Sequence, residues 1–264
     1  MSRSTVLLLA VLPLSLGVSS GLSSSWRERM RAQRHIRPHV NPLQRRFTDA
    51  TLPASFGRDA FASVQPLHLD IGCGKGHFCA DLAAARPDLN VLGIEIRDPL
   101  VEEAERLASE VRNLRFLAGS ANACAAAAID AVLAQGDGDH AWLHSVTVQF
   151  PDPWPKVRHH KRRVVQPPLV HELAERLRPG GFVFLQSDVE EVALDMRASF
   201  LGCSRFVEVA PSHADEAARA ETGADAATTF WLNEQQRPFP IQTERERQAD
   251  RRGLDVFRTL LTLE

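Results

Sequence analysis

The sequence predicts an α/β fold: a doubly wound, mostly parallel sheet with helices on both faces and an antiparallel strand pair at its C-terminal end. Three observations lead to this prediction. Short apolar runs alternate repeatedly with helical patterns, a glycine-rich turn follows the first run, and the last two strand-like runs suit an antiparallel pair. The chain has 264 residues, 44% of them hydrophobic, which suits one such domain with additional segments.

Each predicted element follows from an apolar run and its boundaries. Strands are predicted at 66–72, 90–96, 114–121, 145–150, 182–187, 205–211 and 254–263. Helices are predicted at 77–86, 99–112, 123–135, 167–178 and 190–202. Pro87 follows the first helix, Pro99 lies near the start of the second, where its missing N–H costs little, and Pro179 ends the fourth. In such a fold, ligands are expected beyond the carboxyl ends of the strands.

The overall charge excludes a protein that binds nucleic acid over its whole surface. The formal net charge is -2 and the pI is about 6.6, so a polyanion would need a local basic patch. The chain contains 4 cysteines, which form no C-x-x-C pair and no zinc-like spacing with histidine. They are expected to be buried free thiols, which suits a reducing compartment, and no metal site is predicted.

The N-terminal segment, residues 1–40, is predicted to be targeting and linker sequence, with the domain proper at 41–264. Arg3 precedes an apolar run from Val6 to Val18 that is followed by small residues, which is typical of a signal peptide. The run is short and contains Pro13, so no stable membrane anchor is expected in the mature chain. The Ser- and Arg-rich stretch at 22–39 resembles a transit segment, which indicates a plastid reached through the secretory route. The alternatives are a mitochondrial, cytoplasmic or secreted protein, or a wrongly assigned gene start.

The turn after the first strand reads Asp70-Ile-Gly-Cys-Gly-Lys-Gly-His77. Gly72 and Gly74 allow a tight turn and a close approach of the backbone to a ligand. A dinucleotide-binding fingerprint requires glycine where His77 stands, and Asp70 would repel a pyrophosphate but attract a cationic amino-acid tail. The pattern resembles motif I of class I S-adenosylmethionine-dependent methyltransferases. A nucleotide-dependent oxidoreductase, or a plain turn with Asp70 as a helix cap, is the alternative.

Two further polar residues follow the next strands. Glu95, at the end of the second strand, could accept both hydroxyls of a ribose, as acids do in related nucleotide sites. Asn122, after the third strand, could read an adenine edge while its alanine neighbours leave room for a flat ring. The alternative for Glu95 is a surface acid without a ligand.

The segment FPDPWPKVRHHKRR, residues 150–163, follows the fourth strand. Its prolines predict a stiff loop that presents Asp152 and Trp154 to a planar base. The basic side chains that follow could bind successive phosphates of a nucleic-acid backbone. These residues are Lys156, Arg158, Lys161, Arg162 and Arg163. A solvated helix face is the alternative for a charge run of this kind.

With this segment the sequence closely resembles the tRNA (guanine-N7-)-methyltransferase family, in its cyanobacterial and plastid branch, over roughly residues 37–264. The motifs RPHVNPLQRRF, SDVEE and TERE support the resemblance. It implies a Rossmann-like class I methyltransferase that uses S-adenosyl-L-methionine to methylate N7 of guanine 46 in the variable loop of tRNA. Guanine N7 has a free lone pair and no proton, so no histidine is assigned a catalytic role. An RNA-binding module without activity is the remaining alternative, and a partner subunit is neither indicated nor excluded.

The family roles transfer to individual positions. The resemblance implies that Asp152 is catalytic, at the join of cofactor and substrate. The cofactor residues are Asp70, Gly72, Gly74, Glu95 and Asn122. The substrate-binding residues are Lys156, Asp188, Thr243 and Glu246, and the RNA-binding residues are Arg158, Lys161, Arg162 and Arg163. Asp188 could also cap a helix. Arg245 stands where many relatives have an aromatic residue.

Overall fold

The computed structural model describes residues 39–49, 52–53, 56, 60–136, 141–209 and 231–264. The predicted targeting segment therefore lies outside the described residues, apart from His39 and Val40. The division of the chain at residue 40 stays a prediction. No helix in the described part of the chain combines the length and the apolar character needed to span a bilayer.

The core of the fold is a seven-stranded sheet with the order β3-β2-β1-β4-β5-β7-β6. The strands are β1 Leu67–Ile71, β2 Asn90–Glu95, β3 Leu114–Ala118, β4 Leu143–Gln149, β5 Leu177–Ser187, β6 Phe206–Glu208 and β7 Phe257–Leu263. The first five are parallel, whereas β7 is antiparallel to both β5 and β6. This confirms the predicted sheet and its antiparallel C-terminal pair. The strand order reverses between β1 and β4, where an α/β sheet opens a crevice for ligands.

The helices are α1 Arg45–Thr48, α2 His77–Ala85, α3 Asp98–Ala108, α4 Ala121–Leu133, α5 Pro167–Arg176, α6 Glu190–Leu201 and α7 Glu244–Arg252. Short 3₁₀ helices span Val157–Arg162 and Glu234–Gln236. The prediction was wrong at the end of α5, because the backbone is already extended at Leu177 and β5 includes Pro179. It missed α1, α7 and the 3₁₀ helices.

Both faces of the sheet are covered by helices. One apolar cluster joins β1 and β4 to α4, α5 and α6, with Leu69, Ile129 and Phe200 fully buried. The other joins β2 and β3 to α2 and α3 around Leu82 and Phe116. All residues of β1 and β2 are buried, as is usual for central strands of a parallel sheet. The carboxyl edge of these rigid strands therefore provides a firm base for a site.

Gly76, at the start of α2, has two reasons to be glycine. Its φ is +76°, and a Cβ there would lie 2.7 Å from Phe116 Cε1 and 2.9 Å from Ala104 Cβ. We expect Gly76→Ala to destabilise the fold by about 2–4 kcal/mol, from the left-handed backbone and overpacking together. Gly180 is a matched control, since its φ is +80° but a Cβ would meet nothing within 4 Å. Urea unfolding of both variants measures the difference; equal losses would contradict the role of the clash.

Candidate active site

A cleft opens at the carboxyl edge of the sheet. Residues that follow β1, β2, β3 and β4 line it, and Val40 and Pro42 of the N-terminal segment contribute from outside the sheet. The switch point between β1 and β4 lies at its base. The predicted residues Glu95, Asn122 and Asp152 all line this cleft.

Two glycines of the glycine loop have open space beside them, and Gly72 lines the cleft. Gly72 has a φ of +83° and Gly74 a φ of +57°, and a Cβ at either position would meet no protein atom within 4 Å. Left-handed backbone favours glycine, and the open space allows a ligand to approach the main chain. This geometry fits the predicted contact of the loop with a cofactor.

Glu95 is buried at the end of β2, and its carboxylate is held by neighbouring donors. The Gly74 N–H donates to Oε2 at 3.1 Å, and Arg97 Nε lies 2.8 Å from Oε1. The carboxylate is therefore fixed at the wall of the cleft where a ribose was predicted.

Asn122 lies in the first turn of α4 rather than at the end of β3. Its amide nitrogen donates to the Val164 carbonyl at 2.9 Å. Because the nitrogen is held in this way, the amide oxygen is the group of Asn122 that can accept from an adenine amino group. An aspartate here would turn an acceptor toward the Val164 carbonyl.

Asp70 is deeply buried and ends a directed chain of hydrogen bonds. The Thr147 hydroxyl donates to Oδ1 at 2.5 Å, and the Cys79 thiol donates to Oδ2 at 3.3 Å. Since Thr147 has a single hydroxyl proton, His68 Nε2 must donate to Thr147 Oγ1, and His68 Nδ1 must accept from Ser145. Burial lowers the pKa of His68 to about 3, which keeps the ring neutral as this chain requires.

Burial raises the pKa of Asp70, while the hydrogen bond from Thr147 works in the opposite direction. Asp70 lies just before Gly72, but it is not among the residues that line the cleft. Its direct contact with a cofactor stays a prediction. What the structure shows is a buried acid at the end of β1 that accepts hydrogen bonds from β4 and α2.

The loop after β4 is stiff, as its prolines predicted, and it is also strained. Phe150 has a φ of +50° and Trp154 a φ of +42°, a conformation that is rare for bulky residues and costs about 1–3 kcal/mol each. The Phe150 N–H donates to the Gln186 carbonyl at 2.8 Å, and Arg163 Nε donates to the Pro153 carbonyl at 2.9 Å. The fold therefore holds both ends of the loop in place.

Asp152 and Trp154 share the cleft with Glu95. The Asp152 side chain is 38% exposed, and His39 Nδ1 lies 3.0 Å from its Oδ1. The Trp154 ring lies 6.0 Å from the His39 ring, and the Arg162 guanidinium lies 5.0 Å from the indole on its face. An accessible carboxylate and an aromatic ring thus stand side by side, as a flat base would require.

The basic run divides into two groups. Lys156, Arg158 and Lys161 are exposed, and Arg162 is partly buried against Trp154. Arg163 is only 5% exposed and pairs with Glu191 at 2.7 Å and Asp195 at 3.0 Å. The prediction that Arg163 lies on RNA does not fit this position, because its charge is used to join the loop to α6.

The TERE motif, residues 243–246, is built around a buried acid. Glu246 is fully buried and accepts from Arg258 at 2.8 Å and Arg237 at 3.2 Å. It also forms a capping box with Thr243 at the start of α7. A tRNA contact was predicted for Thr243 and Glu246; in this structure the Glu246 carboxylate faces protein donors instead of solvent.

Arg245, the departure from the family pattern, pairs with Asp188 at 2.5 Å. Asp188 follows β5 and its side chain is 9% exposed. Arg245 thus neutralises an acid predicted to contact substrate. The two residues form one polar unit, and any role of Asp188 at the base would involve Arg245.

Sequence reasoning missed His39, Val40 and Arg97. The first two fall in the segment interpreted as targeting sequence, although the resemblance had already included the motif that contains them. Arg97 directly follows the strand that carries Glu95 and lines the cleft. Within the described residues, no group of three or more His, Cys, Asp and Glu side chains is arranged to hold a metal ion.

A parallel sheet with this order, a glycine loop after β1 and an acid at the end of β2 define a class I methyltransferase. A family model described as "Putative methyltransferase" matches residues 64–259. A tRNA (guanine-N(7)-)-methyltransferase of Microcystis aeruginosa is 41% identical over 231 residues, which is 87% of this chain and 98% of that protein. The corresponding protein of Thermosynechococcus vestitus is 42% identical over 84% of this chain and 92% of its own. The chain belongs to the tRNA (guanine-N7-)-methyltransferase family.

Among solved structures, the 16S rRNA methyltransferase KamB covers 78% of this chain and 90% of its own length, with 19% identity and a TM-score of 0.45. This likeness is too distant to support a conclusion about substrate.

Proposed function

We propose that this chain, a tRNA (guanine-N7-)-methyltransferase dependent on S-adenosyl-L-methionine, modifies guanine 46 in the variable loop of its tRNA substrates. The observation that supports the proposal most strongly is the shared cleft. Asp152 and Trp154, on a rigid loop, face the same space as Glu95 and the glycine loop. The cyanobacterial relatives, at about 40% identity, carry the same activity in their names.

The cleft fits the cofactor. Gly72, which lines the cleft, gives the backbone access that the amino-acid part needs, Glu95 stands at the wall where the ribose hydroxyls would bind, and the Asn122 oxygen can accept from adenine. S-Adenosyl-L-methionine supplies an electrophilic methyl group on a sulfonium. The residues of this chain are needed to place the acceptor base, because effective alignment alone lowers the barrier by several kcal/mol.

Asp152 and Trp154 act on the guanine. Its N7 carries no proton, so no base is needed to remove one. The enzyme has to position the guanine and stabilise the positive charge that forms on it. Trp154 offers a face on which the purine stacks. The base becomes cationic as N7 is methylated, and the Asp152 carboxylate stabilises that charge where it develops.

Lys156, Arg158 and Lys161 form the exposed basic surface beside the cleft, and tRNA phosphates are expected to lie on it. We expect the double variant Arg158→Gln, Lys161→Gln to bind tRNA more weakly and to reduce the slope of log K against log salt by about 1.5. Arg106, in the last turn of α3, and Arg112, just after that helix, are matched controls, since both are exposed and lie away from the carboxyl ends of the strands. Filter binding between low and moderate salt measures both slopes; equal slopes for the two pairs would place the RNA elsewhere.

The N-terminal segment is proposed to deliver the enzyme to a plastid. The similar proteins are cyanobacterial, which agrees with a gene of plastid ancestry. A fusion of residues 1–40 to a fluorescent protein tests whether this segment directs a protein to the plastid. Fluorescence confined to mitochondria or cytoplasm would contradict it.

The activity test uses unmodified tRNA transcript and radiolabelled S-adenosyl-L-methionine, with label mapped by cleavage specific for 7-methylguanosine. Any shortened chain should begin ahead of His39, because His39 and Val40 belong to the site. Label at guanine 46, lost when that base is replaced by adenine, is the expected result. Label at another guanine would overturn the position, and cofactor binding without label would indicate a different acceptor or an RNA-binding protein without activity.

A further inference from the structure

The carboxylate of Glu95 accepts four hydrogen bonds. The backbone N–H groups of Gly74 and Arg97 donate at 3.1 Å and 3.0 Å, one to each oxygen. The Arg97 guanidinium adds Nε to Oε1 at 2.8 Å and Nη2 to Oε2 at 3.2 Å. A carboxylate offers about four lone-pair sites, so all of them are in use.

A ribose that binds Glu95 through its two hydroxyls needs two of these sites. The Gly74 N–H belongs to a loop whose backbone is hydrogen-bonded to the Ile94 carbonyl of β2, and the Arg97 N–H belongs to the chain just after β2. The guanidinium is on a long side chain that lines the cleft and is 26% exposed. Of the four donors, the two guanidinium nitrogens are the ones carried by a flexible side chain.

Asp152 is a second acid near which the Arg97 guanidinium could lie after it leaves Glu95. Burial alone would lower the pKa of Arg97, but the hydrogen bond and charge of Glu95, together with the charge of Asp152, raise it. Arg97 and Asp152 both line the cleft, so the second carboxylate is available in the same space. If the guanidinium moves away from Glu95, Asp152 can still compensate its charge.

We propose that Arg97 is a displaceable counter-ion of Glu95, whose two side-chain hydrogen bonds are replaced by the ribose hydroxyls while the guanidinium turns toward Asp152. The inference rests on the proposed cofactor site and adds a competing residue to it. Binding of the cofactor then carries the cost of breaking an ion pair, and it brings a positive charge closer to the acid beside the acceptor base.

The proposal is tested by whether replacement of Arg97 strengthens or weakens cofactor binding. Titration calorimetry on the full chain compares S-adenosylhomocysteine binding by wild type and Arg97→Met, which removes the guanidinium but keeps an apolar side chain of similar length. We expect the variant to bind about tenfold more tightly, because a charge-assisted hydrogen-bond pair no longer competes. The gain should shrink for an analogue that lacks the ribose 2′-hydroxyl. Arg97→Lys, which cannot hold both oxygens, should lie between the two.

Arg86 supplies a matched control. It holds Asp88 through Nε at 2.8 Å and Nη2 at 2.7 Å, with the same sequence spacing as Arg97 and Glu95 but at the other edge of the sheet. Arg86→Met should leave the affinity unchanged. Unchanged or weaker binding by folded Arg97→Met would overturn the proposal and make Arg97 a support for Glu95. Absence of binding by the wild type would overturn the proposed function, and this inference with it.

Discussion

Replacement of Asp152 with alanine is expected to lower turnover by about 100-fold or more and to change cofactor affinity by much less. Removal of a single group that stabilises transition-state charge typically costs this much. Asp152 is accessible in the cleft, on a loop that hydrogen bonds to Gln186 and Arg163 hold in place. Single-turnover methyl transfer to tRNA and calorimetric titration with S-adenosylhomocysteine measure the two effects separately.

Asp152→Asn separates two explanations of that loss. If the negative charge matters, asparagine should be nearly as defective as alanine. If the carboxylate grips the N1 and N2 donors of guanine, asparagine should recover part of the activity, since its oxygen still accepts. Loss of cofactor binding to the same extent as turnover would contradict the assignment of Asp152 to the transition state.

Replacement of Glu246 with glutamine is expected to destabilise the fold by about 3–5 kcal/mol, because the loss of one partner leaves buried charges uncompensated. The Arg258 side chain is 8% exposed and the Arg237 side chain 11%, so neither guanidinium can turn fully to water. Glutamine can still complete the capping box with Thr243, so the loss would come from the uncompensated charges. Urea unfolding provides the measurement.

Glu244 is the control for this effect. It lies in the same turn of α7, but its side chain is 52% exposed, and its pairing with His77 is long at 3.7 Å. Glu244→Gln should cost less than about 1 kcal/mol. If the Glu246 variant were equally mild, the buried cluster would not be what holds α7 to the sheet.

The sequence predicted most of the fold because most elements carry a local apolar pattern. One of the missed elements, α7, shows why a local pattern was lacking. Its residues are nearly all charged, and those it buries are Glu246 and Ala249. Such a helix has no apolar stripe to detect, since it is held by ion pairs to Arg237 and Arg258, which come from separate segments.

The candidate site was predictable where it depends on strand ends. Glu95, Asn122 and Asp152 meet in one cleft because each follows a parallel strand. The burial of Arg163 was not predictable, since its partners Glu191 and Asp195 come from a helix that only the tertiary structure brings near. A charged residue is usually exposed, so the sequence predicts exposure. That expectation is wrong where acids from distant parts of the sequence pair with a buried cation.

The position of β7 has a consequence for biosynthesis. This strand follows β6 in the sequence, yet it lies inside the sheet between β5 and β6 and supplies Arg258 to Glu246. A nascent chain whose β7 is still inside the ribosome cannot complete the sheet, and the edge of β5 stays unpaired until β7 emerges. Messages truncated ahead of Phe257 should therefore yield products that chaperones and proteases recognise as incomplete, so little shortened enzyme would accumulate to occupy tRNA.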